Sequence, residues 1–362
     1  MMFKRISGLF KRTREFFCSK APACASLSEP PPFSRGSGTS DDPFQISSEG
    51  EFARIADFPD CHFVLKRSLL LHTPVPRISD FKGKLDGGGH EIEGIRATSF
   101  WIENNTGEII DLTIVGSEIA SHPEEVLTAL IGINRGSITR VELKEASHHS
   151  SHRSTGSFVA GLVAANLGMI EDCKVSGTIQ GLWSKVGGIA AHNYASGRIF
   201  DCKVRAAVLT FIGSTHGEAV GGICAVNEGV IQFGGVVGTI RISNSRSGRA
   251  NVGGVVGLNE VIGSVLNPYG ACLFEVTPLS LKNVGGIVGP QPRLCGCCQV
   301  GSRGGLRRER HGGTDHWLSG RDGLACGRIP RGRALERSHQ AKRQPSPDRR
   351  DHDRRQPWRH PI

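Results

Sequence analysis

Asp111, Asp172 and Asp201 each stand two residues after an isoleucine, at Ile109, Ile170 and Ile199. If that motif recurs as stacked β-strands, Asp172 and Asp201 lie one strand spacing apart, about 5 Å, which is the range of a retaining glycosidase pair. The chemistry would be that of a polysaccharide-active lyase or hydrolase. Against it, Arg140 and Phe233 hold the same offset in other copies, and stacked exposed carboxylates simply solvate. Cys173 and Cys202 share a second offset, where a disulfide or thiolate pair could form. Leu112, Val141 and Val265 fill that place elsewhere, so it reads as a core position in which free Cys acts as a small hydrophobe. His148-His149-x-x-His152 could hold a transition metal, but its Ser-rich surroundings read as a solvated loop between repeats. Gly87-Gly88-Gly89 lacks the Lys-Ser/Thr of a phosphate-binding loop and opens no helix. No cofactor and no metal site is expected.

The elements that must position these residues repeat. Aligned on Asn, the copies are Val159-Ala-Gly-Leu-Val-Ala-Ala-Asn166, Val186-Gly-Gly-Ile-Ala-Ala-His-Asn193, Val220-Gly-Gly-Ile-Cys-Ala-Val-Asn227 and Val252-Gly-Gly-Val-Val-Gly-Leu-Asn259. A fifth, Val284-Gly-Gly-Ile-Val-Gly289, stops before its Asn, and looser copies end at Asn134 and Asn105. A second element follows each Asn, usually through Gly. Its apolar offsets are Ile138, Val141, Leu143, then Ile170, Cys173, Val175, then Ile199, Cys202, Val204, with Ile262 and Val265 keeping two places in the last copy. Short β-branched runs divided by Asn and Gly are strands divided by turns. Strands this short cannot bury themselves singly, so the units must stack. One coil of two or three strands per copy is the pattern of a parallel β-helix. Asn134, Asn166, Asn193, Asn227 and Asn259 then fall at one turn, where their side chains can hydrogen-bond along the stack and satisfy turn backbone. Gly161, Gly188, Gly222, Gly254 and Gly286 fall at a corner that needs a sharp bend or close backbone approach. Both roles are structural.

The tetrads Gly161-Leu-Val-Ala164, Gly188-Ile-Ala-Ala191, Gly222-Ile-Cys-Ala225, Gly254-Val-Val-Gly257 and Gly286-Ile-Val-Gly289 resemble GLUG-motif repeats. Such repeats occur in bacterial secreted and cell-surface proteins, including filamentous-haemagglutinin-like adhesins and immunoglobulin A peptidases. Gly36-Ser-Gly-Thr-Ser-Asp-Asp-Pro-Phe-Gln-Ile-Ser47 resembles the lead-in of those regions, and Phe81-Lys-Gly-Lys-Leu-Asp-Gly-Gly-Gly-His-Glu-Ile-Glu-Gly94 resembles their first-coil strand. The chain departs from them at Arg67-Ser-Leu-Leu-Leu71, where similar proteins carry an acidic Asp-x-Asp-type strand. The resemblance spans about residues 36–289 and implies a non-enzymatic surface or secreted adhesion module with a protein or glycan ligand. The peptidase relatives need His-Glu-x-x-His, two His one helical turn apart around a Glu base. The only His-Glu here is His90-Glu91, with Gly94 at the partner position, so that machinery is absent.

Charge and composition bound the rest. Glycine, 48 of 362 residues, is about twice its usual share. The formal net charge of +10 sits at the two ends. Residues 290–362 hold 17 Lys+Arg against 7 Asp+Glu, which leaves 27 of each sign in residues 1–289. Residues 1–35 are a basic, then Ser/Pro-rich leader, read as disordered, without the apolar stretch of a Sec signal peptide. A short basic amphipathic helix over Phe3, Ile6, Phe10 and Phe17 is the alternative there. Seven cysteines in 1–289 without a framework spacing argue against an oxidised scaffold. No apolar run is long enough to span a membrane.

At Gly289 the repeat stops, and Gln291 stands where the next Asn belongs. Of the 17 basic residues beyond, 16 are Arg, with no Asn, Phe or Tyr. A disordered interaction tail, nucleic-acid binding with Cys295, Cys297 and Cys298 on a metal, and out-of-frame translation are the three readings of that composition.

The sequence thus gives an all-β fold, a right-handed parallel β-helix of about six or seven coils. Leader 1–35, cap and first coil 36–100, repeats 101–289 and a disordered Arg-rich tail 290–362 are its parts. No nucleic-acid partner is expected for residues 36–289. The resemblance implies a secreted or cell-surface location, and a cytoplasmic one follows if the start is correct and no other export route exists.

Overall fold

The computed structural model describes residues 33–151, 156–182, 184–212, 219–243, 251–277, 283–285 and 288, together with the strands Leu306–His311 and Thr314–Ser319. The chain divides into two units, Met1–Ile329 and Pro330–Ile362, and the second holds no described residue. The leader 1–32, His152, Gly286 and the tail cysteines also lie outside the described residues.

The described chain is a parallel β-helix. One coil runs through Ser157–Ala160, Val163–Asn166, Met169–Glu171 and Lys174–Leu182. The next coil repeats these as Ser184–Gly187, Ala190–Asn193, Arg198–Phe200 and Lys203–Ile212. Each strand pairs in parallel with its equivalent one coil on: Val159 with Val186, Asn166 with Asn193, Ile170 with Ile199, Val175 with Val204. The coil therefore has four strands rather than two or three, and the stack has four faces. We refer to them as the Val-Gly face, the Asn face, the Ile face and the long face.

The stack is also longer than six or seven coils. Among the described residues the Ile face alone carries nine strands. It begins with Phe44–Ile46, His62–Leu65 and Lys84–Asp86, inside the segment expected to hold a cap and a single coil. One inward column runs Phe44, Phe63, Leu85, Ile109, Ile138, Ile170, Ile199, Ile231, Val265. All nine are buried, with no more than 4% of their surface exposed. β-Branched side chains fit here because the stacked pleat leaves little room to rotate and rewards close packing. Val265, not Ile262, continues this column, contrary to the alignment expected from sequence. Glu260, Val261 and Ile262 lengthen the turn before Gly263, which leaves Ile262 66% exposed. Turns absorb such insertions because they carry no ladder.

A short helix, Glu49–Ala53, lies between the first two strands and buries Phe52. Ser48 caps it, with Glu51 N donating to Ser48 Oγ at 3.2 Å, and Glu51 Oε2 reaches back to accept from Ser47 N, one residue before the cap, at 2.7 Å. Phe33 stacks on Phe44 with ring centroids 4.3 Å apart, and Phe52 lies 5.2 Å from Trp101. Leu69–Leu70 pairs with Glu91–Glu93, Leu69 opposite Ile92, so the apolar Arg67–Leu71 segment joins the long face despite lacking the acidic pattern. At the other end Asn283–Gly285 pairs with Asn251–Gly253. Tyr269–Thr277 pairs antiparallel with Thr314–Ser319, which in turn pairs with Leu306–His311. Those two strands are the described part of the tail. No helix among the described residues is long and apolar enough to cross a membrane.

Candidate functional site

The residues singled out by repetition are held by the scaffold itself. Asn105, Asn134, Asn166, Asn193, Asn227 and Asn259 form a buried ladder. The Nδ2 of each of the first five donates to the Oδ1 one coil on, at 2.8, 2.9, 2.8, 2.8 and 2.7 Å. The same amides donate to turn carbonyls, as Asn166 does to Gly168 O and Arg198 O at 3.2 and 3.4 Å. Gly168 O also accepts from Arg198 N at 2.9 Å, so the amide adds a second bond to a carbonyl already paired between coils. The glycine corner is equally tight. Gly161 N, Gly188 N and Gly222 N donate to Gly188 O, Gly222 O and Gly254 O at 3.0, 3.0 and 3.1 Å. A Cβ on Gly188 would lie 2.2 Å from Gly222 O, so no other residue fits without moving backbone. A second glycine column after the Asn turn, including Gly107, Gly136 and Gly168, is packed in the same way.

The three aspartates occupy a turn between the Ile face and the long face. Asp111, Arg140, Asp172, Asp201, Phe233 and Asn267 all have left-handed φ, between 46° and 56°. Asp and Asn enter that region more readily than other non-glycine residues, which gives the recurrent Asp a conformational reason. Arg140 grips Asp111 with two guanidinium nitrogens, and that pairing holds the Asp111 carboxyl below its ordinary range. Asp201 pairs with Lys203 at 3.1 Å. Asp172 and Asp201 are one coil apart, as their spacing predicts, since Ile170 pairs with Ile199.

Cys173 and Cys202 are free and buried. Burial and the neighbouring Cys173 push the Cys202 thiol well above its ordinary value. Cys61 differs: it is disulfide-bonded, a link that irregular spacing did not reveal.

His148 corrects the expectation of a solvated loop. Glu142–Ser150 is a strand of the long face, so alternation turns His148 inward and His149 outward. The two imidazoles therefore point to opposite sides. His148 lies in an inward column with Ala97, Ile119 and Ile179. Its Nε2 is 3.0 Å from Ser117 Oγ and its Nδ1 3.0 Å from Ala160 O. The Ala160 carbonyl can only accept, which fixes the proton on Nδ1. Burial pushes this histidine down to about 4.

Two clusters carry chemistry that sequence reasoning missed. On the outside of the Val-Gly and Asn faces, Lys185 Nζ sits 4.7 Å from the Phe158 ring centroid. His192 stacks on Tyr194 at 4.0 Å and pairs through Nε2 with Glu228 at 3.1 Å. Burial lowers the pKa of both Lys185 and His192. The second is a cleft of about 690 Å³ beside the first long-face strands, lined by Pro74, Val75, Arg77, Arg96, Ala97, Thr98, Phe100, Glu118, Ala120, His122, Glu125 and His149. Its floor is three paired strands, with Arg96 opposite Glu118 and Glu118 opposite Ser147, then Thr98 opposite Ala120 and Ala120 opposite His149. Arg77 lies 4.1 Å over the Phe100 ring and bridges Glu103 at 2.8 Å and Glu125 at 2.7 Å. Arg96 donates to His72 O through Nη2, while its Nε, like Glu125 Oε2, is buried without a hydrogen-bond partner. The residue types at these positions change from coil to coil, so no periodicity marks them. The only local signal is a polar-apolar-polar triplet, Arg96-Ala97-Thr98. Comparison of the chain with family models, curated proteins and solved structures gives no match.

Proposed function

We propose that the chain is a non-enzymatic binding module, a β-solenoid of the adhesin-like kind carried on bacterial surfaces or secreted from them. Its ligand is a protein or glycan of a cell surface. The observation that carries the reading is the division of labour between the two sides of the coil. Recurrent residues (the Asn ladder, the corner glycines, the left-handed aspartates) serve to join or turn the coils. Outward side chains vary along each column, as in Arg96, Glu118, Ser147, Thr178 and Thr98, Ala120, His149, Gln180. A rigid backbone with a varied outer surface is how solenoids make extended recognition surfaces, and the cleft is one concave stretch of this one.

The test is retention of the fluorescently labelled full chain on cultured epithelial cells under flow. Saturable retention, competed by unlabelled chain, is expected. Retention no greater than that of labelled serum albumin removes the reading. Release of reducing ends from mixed polysaccharides by the same preparation would replace it with the enzymatic one.

A further inference from the structure

We infer that the long-face cleft binds a neutral saccharide of two or three units. This inference rests on the binding-module reading and names its ligand class. The cleft presents donors and acceptors together. Arg96 Nε is a buried donor and Glu125 Oε2 a buried acceptor, and neither has a partner within the chain. A buried polar atom left unpaired costs about 1–3 kcal/mol. A ligand that satisfies both must accept from the guanidinium and donate to the carboxylate. Each hydroxyl both donates and accepts, and a saccharide carries several, so different hydroxyls of one ligand can serve the two groups. Glu118, Thr98 and His149 stand exposed on the same floor and extend the set of partners to further hydroxyls.

Charge narrows the class. Arg77 and Arg96 face Glu103, Glu118 and Glu125, and Arg77 is spent on Glu103 and Glu125. A phosphate or sulfate would meet the uncompensated Glu118 carboxylate, and a cation would meet Arg96, so a neutral polyol is the species repelled by neither. The remaining lining is His122 with Pro74, Val75, Ala97 and Ala120; Pro74, Val75 and Ala120 form a low apolar area, which suits the C–H face of a pyranose ring. Phe100 is not available for stacking, because it is buried beneath Arg77. Small sites of this kind fall in the range of about 300–1,000 Å³, and 690 Å³ accommodates a di- or trisaccharide.

The experiment is a microarray of neutral, sialylated and sulfated oligosaccharides probed with the labelled full chain. It is run beside Ala120→Trp, which fills the cleft floor, and Glu118→Gln, which removes an exposed acceptor. Circular dichroism and melting midpoint establish that both variants remain folded. The expected result is retention on one or more neutral di- or trisaccharides, reduced at least tenfold in Ala120→Trp and severalfold in Glu118→Gln. No neutral glycan retained, retention confined to sulfated or sialylated glycans, or equal retention by the folded variants overturns the inference. If the array is blank while cell retention persists, the ligand class fails and the binding module stands. If both are blank, both fail.

Discussion

Replacing Asn193 by alanine should cost about 3–5 kcal/mol, and replacing Asn259 only about 1–2 kcal/mol, from the same chemistry at two places in one ladder. Asn193 sits mid-ladder: its Oδ1 accepts from Asn166 at 2.8 Å and its Nδ2 donates to Asn227 at 2.8 Å. The same Nδ2 donates to Gly197 O at 3.3 Å and Val230 O at 3.5 Å. Truncation removes two ladder bonds, each worth about 1 kcal/mol net. It also strips the buried Asn227 Oδ1 of its ladder donor, which adds about 1–3 kcal/mol. Asn166 suffers less, because its Nδ2 keeps Gly168 O and Arg198 O. On the far side Asn259 gives up the bond to Gly263 O at 2.8 Å and no ladder bond, and Asn227 Nδ2 keeps Gly229 O and Ser264 O. The assay is urea unfolding of the full chain followed by circular dichroism, comparing midpoints at equal slope. A cost below about 1 kcal/mol at Asn193, or equal costs at the two positions, would refute the ladder as a source of stability.

Other perturbations follow from the same geometry. For His148 the folded value of about 4 lies below its ordinary 6.5, so the unfolded chain binds the extra proton between them. Stability is full above pH 6.5, falls as pH drops toward 4, and loses about 3 kcal/mol across that window. The difference in unfolding free energy between the wild type and His148→Leu should change by that amount between pH 7 and pH 4, and a constant difference would exclude it. Gly188→Ala should destabilise by more than about 3 kcal/mol, since its Cβ would press on Gly222 O. Gly50→Ala, in the short helix with nothing within 4 Å of its Cβ, should instead gain about 0.5–1 kcal/mol, as melting of the two variants would show. Asp172→Asn and Asp201→Asn should unfold within about 0.5 kcal/mol of wild type, because Asn accepts the left-handed turn, whereas Asp172→Val should cost about 1–2 kcal/mol. If any glycan-cleaving activity is found and survives both Asn substitutions, those carboxylates are not its source. Buried Cys173, Cys202, Cys224 and Cys272 should stay unmodified by a thiol reagent in the native chain and react on unfolding.

Periodicity made the scaffold readable from the chain alone. Each coil places Asn166 over Asn193, Ile170 over Ile199 and Val175 over Val204, so any residue that serves the stacking must recur at one offset. The parallel β-helix, the Asn ladder, the tight glycine corner and the core position of Cys173 and Cys202 all follow from that recurrence. Where the repeat slackens, the sequence misleads: the longer turn at Glu260–Ile262 shifts the last copy, and Ser and His around His148 look like a loop. Pairing of Ser147–Ser150 with Thr178–Gly181 imposes strand alternation there whatever the local composition. The aspartates had a visible offset, but only the backbone shows that the offset is a left-handed turn.

The cleft belongs wholly to tertiary structure. Its lining comes from the Pro74–Arg77 segment, three long-face strands and the connection carrying His122 and Glu125. These lie far apart in the chain, and even where the strands share a register, as Thr98, Ala120 and His149 do, the residue type changes from coil to coil. A side chain that holds coils together is selected at every coil, and so writes a period into the sequence. A side chain that faces a ligand is needed once, and only the winding of the chain reveals which others stand beside it.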